Sequence, residues 1–303
     1  MAEFQDQFID TVLLPLALAA IIVLPWRRRV LAERPRLRMF VAAALVSLPM
    51  PIAFLLWLPR DQAMGVLRFA PADDWQAVGA LSLAGLFAGF LTTSMLAKAR
   101  WRRPAVAVAV GAATMLALWP VIHRDDWVRR ITPGAVAAVL FWVLEPLGKR
   151  RPGTLAACLW LACAIAGSAT MFIMGQRQVV AGIAPIGASL LVFAAVARWK
   201  QLDLTGAALA SALPALSGVP CTAWLYESAI GASYPLGLVM LTACAPLAAW
   251  VAVIPWLDAR RPWLRIAAPL LTVALVGGAA AGGMYELDGA AAGQDPFMDM
   301  YGP

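Results

Sequence analysis

The stretch VLEPLGKRRPGTLAACLWLACAIAGSATMFI, residues 143–173, decides the class of fold that this sequence predicts. Residues 154–173 contain no charged side chain, and roughly 17 to 25 apolar residues are what an α-helix needs to cross a ~30 Å hydrocarbon core. Three consecutive cations, Lys149, Arg150 and Arg151, stand just before this run. Such a cluster is typical of a loop at one face of a membrane. The stretch therefore predicts a transmembrane helix that begins directly after a basic loop.

The composition of the whole chain agrees with this interpretation. Hydrophobic residues make up 62% of the 303 residues and charged residues only 14%, and the mean hydropathy is +0.77. A chain of this composition cannot wrap its apolar residues inside a water-soluble globule, so most of them must face lipid or other apolar helices. No loop is long enough to fold alone, and we expect residues 1–303 to form a single integral membrane domain.

Apolar runs of spanning length tile the sequence and predict about ten transmembrane helices. The runs are continuous rather than alternating, which favours helices over a barrel, and a helix satisfies its own backbone groups in lipid. The expected fold is therefore an all-α polytopic transmembrane helix bundle. The ten predicted spans are residues 8–25, 39–58, 75–96, 105–122, 131–147, 154–173, 179–196, 204–224, 234–256 and 266–283.

The distribution of cations predicts the orientation of the bundle. Alternate loops carry 18 of the 24 basic residues, and the positive-inside rule assigns these loops to the cytoplasm and both termini to the outside. The loops are residues 27–38, 98–103, 149–151, 198–200 and 260–265. The net charge of +7 then reflects topology, with the lipid bilayer as the partner and no role in nucleic-acid binding. The abundance of arginine and alanine points to a bacterial inner-membrane protein.

The position of the basic linker predicts internal symmetry. Residues 148–153 separate five spans from five, and an odd number of spans per half places residues 1–150 and 151–283 in opposite orientations, as in inverted-repeat transporters. In size and in this count the chain resembles the drug/metabolite transporter group, whose termini, however, lie inside. A repeat of shorter hairpins is the alternative, since Asp73-Asp74-Trp75 recurs as Asp125-Asp126-Trp127.

Glycines and prolines in corresponding spans of the two halves are candidates for a substrate pathway. Gly89 lies in the third span, and Gly218 and Pro220 lie in the eighth. Transporters often break paired helices at such residues and expose backbone groups to the solute. The alternative is close helix packing, which glycine also serves in membranes. We take Gly89, Gly218, Pro220 and Glu145 as the expected pathway residues.

Apart from Asp10, at the outer start of the first span, Glu145 is the only acidic residue within a predicted span. An ionisable group in a membrane is a functional candidate because its desolvation must be offset. It also lies two residues from the end of its span, with Lys149 at the i+4 position. That spacing favours a helical ion pair. An interfacial pair with Lys149 is therefore the alternative to a role in transport.

No motif predicts catalysis, a cofactor or a metal. The sequence has no nucleophile elbow, zinc-protease motif or phosphate-binding loop. The four cysteines lie in predicted spans without ligand spacing, and the one histidine, His123, has only Asp125 and Asp126 beside it. Residues 284–303 form a polar outer tail in which Phe297, Met298, Met300 and Tyr301 could dock onto a partner protein.

Two functions from different classes fit these observations. The first is a small secondary transporter or permease for a small or lipid-like solute. The second is a non-catalytic membrane subunit or scaffold of a larger complex, which the scarcity of ionisable residues in the spans favours. A polar cavity shared between the halves would distinguish the first from the second, which predicts a solid apolar core.

Overall fold

The fold was analysed in a computed structural model, which describes residues 12–57, 77–95, 101–118, 127–174, 177–230, 236–254 and 263–292. These residues form twelve α-helices and one 3-10 helix, with no strand among them. The α-helices are α1 (Leu14–Val23), α2 (Arg28–Glu33), α3 (Pro35–Ser47), α4 (Pro49–Trp57), α5 (Ala77–Met95), α6 (Arg102–Leu118), α7 (Trp127–Arg150), α8 (Pro152–Met174), α9 (Arg177–Lys200), α10 (Ala207–Ile230), α11 (Leu236–Cys244) and α12 (Leu264–Ala292). The 3-10 helix, Ala245–Val253, continues α11.

The all-α prediction is confirmed for the described residues, and every predicted span contains helix. Within them, four segments are long and apolar enough to cross a membrane. They are Ile131–Arg150, Pro152–Ala169, Ile183–Lys200 and Leu264–Gly283. The class of the protein, a helical bundle with apolar helices of spanning length, follows from these segments.

Two predicted spans are divided, and each division lies next to a proline. The span predicted over residues 39–58 is split at Leu48 into α3 and α4, where Pro49 begins the second helix. The span predicted over 234–256 changes from α-helix to 3-10 helix at Ala245, next to Pro246. A proline has no N–H to donate to the preceding turn, so each helix loses a backbone hydrogen bond there.

Two other predicted spans are shorter than the helices that contain them. The predicted run 131–147 lies within the 24-residue helix α7. The last helix does not end at residue 283 but continues to Ala292, so the first nine residues of the expected tail are helical. Three alanines close this extension, and alanine has the highest helix propensity.

Helix α10 lies at the centre of the bundle. It packs against α3, α5, α7 and α8, which come from both halves of the chain. Every residue from Ala207 to Pro220 is buried. Its apolar side chains join one continuous core that also includes Phe141, Leu144, Leu155 and Phe193.

Polar contacts gather four of the five basic loops at one end of the bundle. The Lys200 ammonium donates to the Trp26 carbonyl at 2.6 Å, and the Leu204 amide donates to the Gly148 carbonyl at 3.2 Å. Residues 26–38, 102–103, 145–151 and 198–206 are joined by these and related contacts, and we call this region the basic end.

Candidate functional site at the basic end

Glu145 forms an ion pair between two helices. Its Oε1 accepts a hydrogen bond at 2.8 Å from Nη2 of Arg102, in the first turn of α6, and its Oε2 lies 3.8 Å from Nε of Arg103. The Glu145 residue is only 7% exposed. The expected pair with Lys149 is wrong: Glu145 instead joins the end of α7 to the start of α6. A charge-assisted hydrogen bond of this kind is stronger than a neutral one and offsets the desolvation of the carboxylate.

Arg103 compensates for the proline that follows Glu145. Pro146 cannot donate to the carbonyl of Trp142 one turn earlier, because proline has no N–H. The Arg103 guanidinium donates to that carbonyl from Nε at 3.0 Å and also from Nη2. It also lies over the Trp142 ring, with Cζ 4.8 Å from the ring centroid. Arg103 thus replaces the hydrogen bond that Pro146 removes and adds a cation–π contact.

A pocket of about 450 Å³ opens beside this pair. Its wall comes from both halves of the chain, because residues of α3, α6 and α7 meet the loop between α9 and α10. Arg38 at the start of α3 forms an ion pair at 3.2 Å with Asp203 of that loop. The lining residues are Pro35, Arg38, Met39, Arg102, Arg103, Glu145, Pro146, Lys149, Asp203 and Thr205.

The loop that supplies Asp203 and Thr205 is held by its backbone. Helix α9 ends at Lys200 and is followed by Gln201 in the left-handed conformation, φ 56°. The Leu202 amide donates to the Ala197 carbonyl, as in a Schellman motif. At the other end of the loop Gly206 has φ 55°, which glycine adopts without strain. Gly148 permits a close approach: a Cβ there would lie 2.0 Å from the Leu204 carbonyl oxygen.

The structure does not gather the four expected pathway residues into one site. A Cβ on Gly89 would lie 2.6 Å from the Ala210 Cβ, and one on Gly218 would lie 2.5 Å from a Leu81 methyl. The Cβ on Gly89 would also lie 2.9 Å from the Ala207 Cα, at the start of α10. Gly218 follows Ala207 by eleven residues, or about 16 Å of helix, and Pro220 lies further along the same helix. The glycines therefore serve close packing of α5 on α10, whereas Glu145 lines the pocket at the basic end.

The expected breaks in the third and eighth spans are also wrong. Helices α5 and α10 are continuous over their described lengths, although α10 contains Pro214 and Pro220. Pro214 leaves the Ala210 carbonyl without its usual donor, and a Cβ on Gly85 would lie 2.2 Å from that oxygen. The Gly85 backbone thus packs closely against the freed carbonyl, at a place where the Cβ of any other residue would collide with the oxygen.

Sequence reasoning missed Arg102 and Arg103, which it treated only as topological charges. A local signal existed: Pro146 predicts that the carbonyl four residues earlier needs an outside donor. Other predicted features lie beyond the described residues, namely His123, Asp125, Asp126 and the end of the tail with its four apolar residues.

Comparison with known proteins identified no matching family model, no matching curated protein and no matching solved structure. The function is therefore argued from the geometry of this chain.

Proposed function

We propose that the protein is a small ten-span membrane permease built from two inverted halves, residues 1–150 and 151–283. The observation that carries the proposal is that helices at the same position in the order of each half pack against one another. The third helical segment, α5, packs against the eighth, α10, and the second, α3 with α4, packs against the seventh, α9. A two-fold axis between the halves would produce such pairs, and inverted-repeat transporters bind solutes at that interface.

Packing within the halves supports the same symmetry. The fourth segment, α6, packs against the fifth, α7, just as the ninth, formed by α11 and the 3-10 helix, packs against the tenth, α12. The first segment, α1, packs against α3 and α4, just as α8 packs against α9.

In this proposal the pocket beside Glu145 is the cytoplasmic mouth of the pathway. Its wall combines Arg102 and Glu145 of the first half with Asp203 and Thr205, which precede the eighth segment. In this proposal the basic end faces the cytoplasm of a bacterial inner membrane and both termini lie outside, an orientation that the positive-inside rule favours. The solute is small or lipid-like, since the helices beyond the mouth meet through apolar side chains.

The proposal is tested at the contact between α5 and α10. Ala210 is fully buried against Gly89, so alternating access must separate these residues for solute to pass. In a protein whose four cysteines are replaced by alanine, we expect Ala210→Cys to react with a small membrane-impermeant thiol reagent. Ala162→Cys is the matched control, because Ala162 is equally buried but lies on α8, which packs mainly within the second half.

Labelling of Ala210→Cys alone, at a rate that changes with added solutes, supports a permease. Failure of both variants to react over many hours, in correctly folded protein, means that the contact stays closed and refutes alternating access at this contact. Circular dichroism and size-exclusion chromatography establish that each variant is folded.

The low burial of α12 favours a second candidate, a scaffold that binds a transmembrane helix of another subunit. Only 22% of Leu264–Gly283 is buried, against 50% to 56% of the other three long apolar segments. On this helix a Cβ added at Gly278 or Gly282 would have no atom within 4 Å, and glycines at this spacing allow close helix approach in lipid. If a subunit binds there, Gly282→Leu will reduce the size of the native complex in a mild detergent, and an unchanged size contradicts the scaffold.

A further inference from the structure

The pocket at the basic end carries more positive charge than its own carboxylates neutralise. Four cations and two carboxylates line it, leaving two positive charges. Each carboxylate is closest to an arginine: Glu145 lies 2.8 Å from Arg102, and Asp203 lies 3.2 Å from Arg38. Among the described residues, no carboxylate lies within 4 Å of the Lys149 ammonium, although Lys149 lines the pocket.

The groups that remain are donors that suit phosphate oxygens. The Lys149 ammonium has three N–H groups and the Thr205 hydroxyl has one O–H. Arg103 uses Nε and Nη2 on the Trp142 carbonyl, and its Nη1 has no acceptor within the described part of the chain. An ammonium and a guanidinium together favour a multiply charged oxyanion over a neutral polar ligand. A neutral solute would leave the two excess charges of this pocket uncompensated.

The size and position of the pocket indicate which oxyanion fits. A volume of about 450 Å³ lies within the range of small-molecule sites, so it accommodates a phosphate together with its glycerol. The pocket lies where helices α3 and α6 begin and α7 ends, beside apolar segments of spanning length. Basic pockets between helix ends on the cytoplasmic side of a membrane bind anionic lipid headgroups.

We propose that this pocket binds a phosphate ester of glycerol, with Lys149 and Arg103 as the principal cationic donors. The same chemistry is offered by the headgroup of an anionic phospholipid and by soluble glycerol phosphate. The inference does not depend on transport, because the pocket and its charges are the same whether the protein is a permease or a scaffold. Failure of the cysteine-labelling test therefore leaves it unaffected.

The test measures lipid binding to the full chain by native mass spectrometry in a neutral detergent. The probes are dioleoylphosphatidylglycerol and, as the zwitterionic reference, dioleoylphosphatidylcholine. Lys149→Gln should weaken binding of the anionic lipid about fivefold, the factor that one surface cation contributes, whereas Lys149→Arg should retain most of it. Arg150→Gln is the matched control, because Arg150 is the next residue on α7 and is exposed but does not line the pocket.

Competition with millimolar glycerol 3-phosphate distinguishes the two sources. The soluble ester is the ligand if glycerol phosphate displaces the anionic lipid from wild-type protein and if its binding is weakened by Lys149→Gln but not by Arg150→Gln. If the lipid remains bound and only Lys149→Gln weakens it, the lipid headgroup is the ligand. Equal binding of the two lipids, no effect of Lys149→Gln, or equal effects of Lys149→Gln and Arg150→Gln would overturn the proposal.

Discussion

Removing either partner of the Arg102–Glu145 pair should destabilise the bundle, and Arg102→Gln should cost more than Glu145→Gln. The reason is the difference in exposure: the Glu145 side chain is 9% exposed and the Arg102 side chain 34%. An arginine that loses its partner can turn toward water. Among the residues that the structure describes, a buried carboxylate that loses this closest donor keeps only Arg103, 3.8 Å away.

These contacts set the expected magnitudes. A hydrogen bond to a charged group contributes about 1.5–3 kcal/mol, and removal of one partner of a buried pair costs about 3–5 kcal/mol. We expect Arg102→Gln to lower the free energy of unfolding by about 3 kcal/mol and Glu145→Gln by ~1.5 kcal/mol. Both values lie at the low end of these ranges because Arg102 is partly exposed. The double variant should lose less than the sum, with a coupling energy of about 2 kcal/mol.

The free energies come from unfolding of each purified variant in mixed micelles by increasing amounts of sodium dodecyl sulfate, followed by far-ultraviolet circular dichroism. Lys149→Gln is the control for the loss of one cation at the same end of the bundle. It should change the unfolding free energy by less than ~0.5 kcal/mol, as exposed substitutions generally do. A coupling energy below ~0.5 kcal/mol between Arg102 and Glu145, which is the size expected for an exposed pair, would refute the structural role assigned to Glu145.

Two further predictions concern backbone packing and Pro146 of α7. Gly85→Ala and Gly148→Ala place a Cβ 2.2 and 2.0 Å from a carbonyl oxygen of another segment and should each lower the unfolding free energy by about 2 kcal/mol. The control Gly278→Ala, with open space around its Cβ, should be neutral or stabilise by up to ~1 kcal/mol. Pro146→Ala restores a backbone donor to the carbonyl that Arg103 now satisfies, so Arg103→Gln should cost about 1 kcal/mol less in that background, measured by the same unfolding assay; an equal cost in both backgrounds would contradict this assignment.

The helices were largely predictable from the sequence, and their interruptions less so. An apolar run of about twenty residues has few alternatives to a helix in lipid, so helix lies within each of the ten predicted segments. The division at Leu48 and the change to 3-10 helix at Ala245 depend on how neighbouring helices hold each proline. Proline alone does not determine this outcome, since α10 continues through Pro214 and Pro220.

The site was harder to predict because its decisive contacts are not local. Glu145 and Arg102 are 43 positions apart, while the i+4 rule considers only Lys149 on the same helix. Gly89 and Gly218 were ambiguous for another reason. An absent side chain serves a cavity and a close helix contact equally well, and only the neighbouring helix decides between them. At Gly89 a Cβ would lie 2.6 Å from the Ala210 Cβ, and at Gly218 it would lie 2.5 Å from a Leu81 methyl, so an apolar group of the neighbouring helix fills the space in both places.

Two of the carbonyls that prolines free in α7 and α10, those of Trp142 and Ala210, show how the surroundings select a partner for the same backbone defect. The Trp142 carbonyl lies near the rim of the basic end, where Arg103 remains 37% exposed and donates without full loss of its hydration. The Ala210 carbonyl belongs to a fully buried residue, where a guanidinium would have to give up most of its hydration. There a glycine backbone meets the oxygen instead and brings α5 against α10. The stretch EPLGKRR therefore has two arginine partners on α6: Arg102 pairs with the buried Glu145, and Arg103 repairs the helix defect at Pro146 while it still faces water.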